Sequence, residues 1–200
     1  MMSKTHVTVG IASSLGLALV FPKTPQIILV SIAFGALGGT TPDVDILDDD
    51  YKHDALIGQL IPVGLCGLLL GLDWLLHYEI LSSIINHKIL AIIGVIGYLI
   101  LYLIGFGSDH REFTHSFLSL LLFSIAVAFI QLPAVPFYAI GYFSHLAIDL
   151  LNKKGIQLFF PLEPRPCLKL CYANEAGNKI LMYLGLGASI ILLIMNLARS

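Results

Sequence analysis

Charged residues are scarce in this sequence. Only 12% of its 200 residues are Asp, Glu, Lys or Arg, whereas soluble proteins average about 25%. Hydrophobic residues make up 57% of the chain, and the mean hydropathy is +0.88. A chain with so few charges cannot cover a globular surface with polar side chains. A water-soluble domain is therefore excluded, and an integral membrane protein is predicted.

Basic tracts and a disulfide framework are also missing. The net charge is −2, and no run of Lys or Arg is long enough to indicate a nucleic-acid partner. Three cysteines are too few for a disulfide framework. The sequence therefore predicts the lipid bilayer as a partner of the chain, and no nucleic acid.

The chain is built of seven apolar segments with short polar connections. They cover about residues 7–21, 26–39, 55–76, 89–106, 116–132, 134–151 and 180–198. Because a span needs roughly 20 apolar residues, we expect an all-α fold with a single domain over residues 1–200, a polytopic membrane helical bundle with about six to seven embedded helices. The first two segments are short and could tilt, lie at the interface or re-enter. Residues 152–179 contain three prolines and are expected to form a surface segment before the last helix.

The basic residues of the loops predict the orientation. If all seven segments cross, one side of the membrane holds Lys4, Lys52, Arg111, Lys153, Lys154, Arg165, Lys169 and Lys179, and the other holds Lys23, Lys88 and Arg199. Cytoplasmic loops carry the excess of Lys and Arg. The sequence therefore predicts a multi-pass protein of the inner (cytoplasmic) membrane, with the first of these sides in the cytoplasm.

Seven histidine and aspartate residues lie at segment ends, and the same count places all of them on the cytoplasmic side. They are His6, Asp43, Asp45, His110, His115, His145 and Asp149. The strongest pair is His145 and Asp149, because an i, i+4 spacing puts both side chains on one helix face. Ionisable residues within membrane spans are costly, although less so near the span ends, which favours a functional role over a structural one.

The other members of this set are less specific alone. His110 and His115 flank a segment rich in charged and hydroxyl side chains, and we expect His110 in the loop and His115 in the first turn of the next helix. The carboxylates of Asp43 and Asp45 would point to the same side in an extended or turn segment. His6 could equally be a residue of the helix cap or a ligand.

Together these side chains predict a metal site at the cytoplasmic face. Nitrogen and oxygen ligands without thiolate suit Zn, Mn, Fe or Mg, and zinc is the first choice. Seven ligands exceed the need of one tetrahedral ion, so one or two divalent ions are predicted. Arg111 would hold a phosphate oxygen through two parallel hydrogen bonds. Glu112 would carry a proton, although a plain surface charge explains it equally well.

These residues resemble a known family, the membrane-bound metal-dependent hydrolase-like proteins often labelled LexA-binding, inner-membrane-associated hydrolases. The shared motifs, in the family's order, are Thr5-His6, Pro42-Asp43-Val44-Asp45, His110-Arg111 with Thr114-His115-Ser116, Gly141-Tyr142-Phe143-Ser144-His145-Leu146 with Asp149, and Gly155 leading to Phe160-Pro161. They span most of the chain. Two positions depart from the family: Glu112 replaces a common glycine, and Leu181 replaces a frequent acidic residue.

The resemblance implies an all-helical fold whose metal-site layout is similar to that of zinc-dependent phospholipase C and P1-nuclease-like proteins. It also implies a metal-dependent hydrolase, which we expect to cleave a phosphoester of a lipid or lipid-linked substrate at the cytoplasmic membrane face. Two alternatives stay open. A non-catalytic metal-containing membrane adaptor would keep the ligands without needing Arg111. A metal-ion transporter would place its coupling residues near the bilayer centre, usually in repeated halves, and no repeat is visible here.

Overall fold

The computed structural model describes residues 1–46, 49–77, 80, 84, 86–170 and 176–199. The described part of the chain contains no β-strand and seven α-helices, which are α1 (Ser3–Ala18), α2 (Pro25–Thr40), α3 (Asp49–Leu76), α4 (Lys88–Phe106), α5 (Phe117–Ile130), α6 (Val135–Leu150) and α7 (Ala176–Ala198). Each helix overlaps one predicted apolar segment. The all-α prediction is therefore confirmed.

Fewer helices than expected are long and apolar enough to cross a membrane. Among the described residues, four stretches meet that condition by length and composition: Pro25–Asp45, Leu56–Leu76, Lys88–Phe106 and Ala176–Ala198. Helices α1, α5 and α6 have 16, 14 and 16 residues, short of the roughly 20 that a span needs. The predicted segment 116–132 extends past the end of α5, because the backbone becomes extended at Gln131. The length of an apolar segment therefore overestimates the length of its helix.

Helices α1, α2 and α6 pack closely against one another, and α1 also packs against α7. Glycine makes the closest approaches possible. A Cβ atom on Gly38 would lie 2.1 Å from the carbonyl oxygen of Tyr138, and one on Gly10 would lie 2.5 Å from that of Gly35. Small residues at such contacts let membrane helices approach backbone to backbone. The polar residues that these three helices carry are brought together as a result.

Helices α3, α4 and α7 lie on the outside of this core. Each exposes large apolar side chains, such as Leu68, Ile92 and Ile191. A contiguous apolar surface of this kind is costly in water and is compatible with lipid. These are also the helices that contain three of the four candidate spans.

Polar connections meet at one end of the bundle. A guanidinium nitrogen of Arg111, in the α4–α5 connection, donates to the carbonyl oxygen of Lys154 at 2.6 Å. The start of the chain is tied to α7, because the Met2 backbone nitrogen donates to Asn178 at 3.1 Å. The segment 152–179 departs in part from the prediction that it lies at the surface. Ile156 is buried, and residues 176–179 belong to α7. Residues 171–175 lie outside the described residues.

Candidate metal centre

Asp149 lies at the centre of the polar cluster, near the end of α6. Its Oδ1 atom is 3.4 Å from Nε2 of His6, and its Oδ2 atom is 3.5 Å from Nε2 of His115 and 4.0 Å from Nε2 of His145. The amino group of Met1 donates to Oδ1. One buried carboxylate therefore faces three imidazoles and an ammonium group.

His145 is held with one ring nitrogen free for a ligand. Its Nδ1 atom lies 2.8 Å from the carbonyl oxygen of Gly39, which makes Nδ1 the protonated donor and leaves a lone pair on Nε2. That Nε2 atom lies 3.1 Å from Nε2 of His115 and 3.7 Å from Oδ1 of Asp43. Two imidazoles and a carboxylate thus converge on one point.

Asp43 and Asp45 point to different partners, contrary to the expectation of a common direction. Both lie in the 3₁₀ turn Thr41–Asp45 that follows α2. With three residues per turn, side chains two residues apart diverge. Asp43 faces His145, whereas Asp45 lies 2.7 Å from Nδ1 of His110 and 3.2 Å from Nδ1 of His115.

The oxygens of Asp45 are already engaged by hydrogen-bond donors. Oδ2 accepts from the backbone nitrogen of Arg111 at 3.0 Å and from the hydroxyl of Thr114 at 2.7 Å. A carboxylate that hydrogen-bonds an imidazole fixes its tautomer and ring orientation. Asp45 is therefore placed to orient His110 and His115.

His6 completes the cluster from α1. Its ring stacks on that of His145, with centroids 3.6 Å apart and planes 17° from parallel. Both of its ring nitrogens are buried and make no hydrogen bond. A buried polar atom without a partner is costly, and a bound cation would remove that cost.

The spacing of the cluster fits a metal ion. Two nitrogens bound to one tetrahedral zinc at about 2.0–2.1 Å lie roughly 3.3 Å apart, close to the separation of the two converging imidazoles. Three sets of side chains place one ligand atom each within 4.8 Å of the others: His6, His145 and Asp149; Asp43, His115 and His145; Asp45, His110 and His115. The structure thus brings all seven predicted side chains together. Only His110, 42% exposed in its side chain, forms an open edge.

Two of the carboxylates, those of Asp45 and Asp149, also favour a positive charge on His115. Burial disfavours a charged imidazole, yet Asp45 and Asp149 outweigh this and raise the pKa of His115 to about 9. His115 lies in the turn before α5 and keeps its proton at neutral pH when no metal competes for it.

Arg111 joins the cluster, but Glu112 does not. The backbone of Arg111 is left-handed, with φ 73°, which turns its side chain inward. One guanidinium nitrogen lies 3.1 Å from Asp149, while Nε is buried and has no hydrogen-bond partner. The Glu112 carboxylate pairs instead with Arg165 on a more exposed surface.

Comparison with known protein families covers nearly the whole chain. Residues 1–199 match the family described as YdjM inner membrane protein. The chain belongs to the YdjM inner membrane protein family. An inner-membrane location follows, which confirms that part of the sequence prediction. Uncharacterized protein YvsG of Bacillus subtilis (strain 168) is 28% identical to this YdjM-family chain over 192 residues, 93% of this chain and 89% of that protein. No solved structure matches this chain.

Sequence reasoning missed several residues that support the cluster in this YdjM-family protein. The hydroxyl of Ser3 donates a hydrogen bond to Asp43, and its backbone N–H donates one to Asp54, both at 2.7 Å. No motif signals these contacts. Thr114 lies inside the His110–Ser116 motif, but no sequence pattern assigns its hydroxyl a partner. Ser116 is the residue that caps α5, and Thr114 binds Asp45.

Proposed function

We propose that this YdjM-family protein is a membrane-bound metal-dependent hydrolase that cleaves a phosphoester of a lipid or lipid-linked substrate at the cytoplasmic face. The observation that carries the proposal is the convergence of the Nε2 atoms of His115 and His145 on Asp43 and Asp149. A buried cluster of this composition at one end of a membrane bundle suits metal chemistry better than helix packing.

The cluster offers two overlapping positions for an ion. His6, His145 and Asp149 form one position, and Asp43, His115 and His145 form the other. His145 has a single free lone pair, on Nε2, so it would bind an ion in one position or the other and not in both at once. A divalent ion bound there, zinc first and Mn, Fe or Mg next, supplies Lewis-acid polarisation of a phosphoryl oxygen and lowers the pKa of water. Asp45 and the carbonyl oxygen of Gly39 keep the imidazoles in the required tautomers.

Arg111 is the chain's own anchor for the phosphate group. Asp149 and the Lys154 carbonyl oxygen hold its two terminal nitrogens, and Nε remains a free donor. A phosphate oxygen is the strongest acceptor for such a donor. Substrate would arrive along the exposed edge at His110.

Neither alternative function is favoured by a specific contact. An adaptor that keeps a metal for stability does not explain a buried arginine with an unused donor. A transporter needs ligands near the bilayer centre, whereas the cluster here lies among the connections at one end of the bundle.

The proposed activity is tested by turnover. Detergent-purified protein loaded with Zn or Mn should hydrolyse phospholipid or lipid-phosphate substrates in mixed micelles at least about 100-fold faster than Asp149→Ala, which removes the central carboxylate. Phosphorus release is measured over a broad lipid and nucleotide panel. Equal rates for the metal-loaded wild type and Asp149→Ala across that panel would refute the hydrolase proposal.

The cytoplasmic orientation of the cluster has its own test. In a background without the native cysteines, single cysteines at the exposed positions Asp109 and Glu163 should resist an impermeant thiol reagent added to intact spheroplasts. Lys23→Cys, which is exposed near Arg199 at the other end of the bundle, should react. Labelling at Asp109 or Glu163 with protection of Lys23 would reverse the orientation.

A further inference from the structure

A cavity of about 190 Å³ lies beside the metal centre, between α2, α3 and α4. Most of its wall is apolar, with Leu37 from α2, Val63 from α3 and Leu99 from α4. None of the residues assigned above to the chemistry lines it. The cavity is therefore a second feature, which the proposed reaction does not explain.

The inner end of the cavity is polar and adjoins the metal centre. The hydroxyl of Thr41 lies 2.8 Å from that of Tyr98, and Tyr102 donates to the side-chain oxygen of Gln59 at 3.0 Å. The amide nitrogen of Gln59 is 3.4 Å from the carbonyl oxygen of Asp43. The cavity and the cluster thus share the turn Thr41–Asp45.

The other end of the cavity faces the hydrocarbon region. Val63 is 62% exposed and Leu99 is 55% exposed, and each lies within a stretch long and apolar enough to cross a membrane. Pro62, which also lines the cavity, has no amide hydrogen, so one hydrogen bond of the α3 ladder is missing where the cavity opens, although the helix itself is continuous. An occupant would enter from lipid and not from water.

We propose that this cavity receives the proximal part of one acyl chain of a lipid whose phosphate group lies at the metal centre. A cavity of about 150 Å³ accommodates benzene, so the space here suits roughly six to eight carbon atoms of a single chain. The remainder of the chain would leave between Val63 and Leu99 into the bilayer. Because lipid tails are as apolar as the cavity wall, the cavity selects a substrate by the shape and position of its chain.

The identity of the phosphate-bearing substrate rests on the proposed function, but acyl binding can be measured without hydrolysis. The probe is a phosphatidic acid with a diazirine in the proximal half of one acyl chain, added to the full-length protein in detergent and irradiated. Cross-links should concentrate on Leu37 and Leu99. Moving the diazirine to the chain end should shift the cross-links to the outer faces of α3 and α4.

Two matched variants distinguish lipid bound in the cavity from lipid bound on the outer face of α3. Val63→Trp fills the cavity, whereas Leu68→Trp places the same ring on the lipid-facing side of α3. Cross-linking at Leu37 should fall at least tenfold in Val63→Trp and remain unchanged in Leu68→Trp, with equal metal content in both. Leu99→Trp fills the cavity from α4 and replaces Val63→Trp if that variant does not fold.

The outcomes distinguish this inference from the hydrolase proposal. Cavity-specific cross-links without turnover would support the acyl site and reject the reaction. Turnover with cross-links spread over the outer helix faces, insensitive to both cavity-filling variants, would reject the acyl site and leave the reaction intact.

Discussion

Replacing His145 by alanine is expected to lower metal affinity by at least about 100-fold. Loss of a group that only orients a ligand already costs 10–100-fold, and His145 is shared by two of the three sets of candidate ligands. It also supports His6 by ring stacking. Metal per chain is measured by plasma mass spectrometry after dialysis against a weak chelator.

His77→Ala is the matched control for this loss. His77 is exposed beyond the opposite end of α3, so its replacement should leave the metal content unchanged. Far-ultraviolet circular dichroism and thermal melting exclude unfolding as the cause. Equal losses of metal in the two variants would show that His145 has a structural role.

The Arg111→Lys variant is expected to retain its metal and to lose phosphoester turnover by about 10²–10³-fold. Removing one donor that stabilises transition-state charge has an effect of this size. Lysine keeps the positive charge and can still face Asp149, but it lacks the planar fork and the inward Nε donor. Metal content and initial rates are measured on the same preparation.

Two results would contradict this role for Arg111. Metal loss in Arg111→Lys would mean that the arginine only supports the ligands through Asp149. Undiminished turnover with full metal content would mean that substrate phosphate binds elsewhere. Arg165→Lys is a useful comparison, because Arg165 pairs with Glu112 at the surface and its replacement should change the rate little.

The helices were largely predictable from the sequence, because each apolar segment forms a helix and proline, glycine or a polar cap residue marks its ends. The start of α5 illustrates this, because the predicted segment begins at residue 116 and Ser116 caps the helix. The number of helices able to span was less predictable. Apolar composition does not distinguish a lipid-facing helix such as α4 from α6, whose buried face includes Tyr138 and Tyr142.

The members of the cluster could be proposed from spacing and sidedness, but their arrangement could not. His145 and Asp149 share a helix face, so local geometry predicts their proximity. The side chains of Asp43 and Asp45 diverge because they lie in a 3₁₀ turn, which no sequence pattern predicts. The contact of His6 with His145 depends on glycine-mediated approach of helices α1, α2 and α6, a tertiary property. The ion pair of Glu112 with Arg165 joins residues far apart in the chain and could not be predicted from the sequence either.

The metal content of the wild-type protein tests the central claim most directly. Protein purified in detergent without added chelator, and measured by plasma mass spectrometry against its amino-acid concentration, should contain one or two divalent ions per chain, with zinc the first candidate. After chelation and dialysis, added Zn should restore that stoichiometry. A wild-type chain that contains no divalent metal, and takes up none on addition of Zn or Mn while remaining folded, would contradict the account.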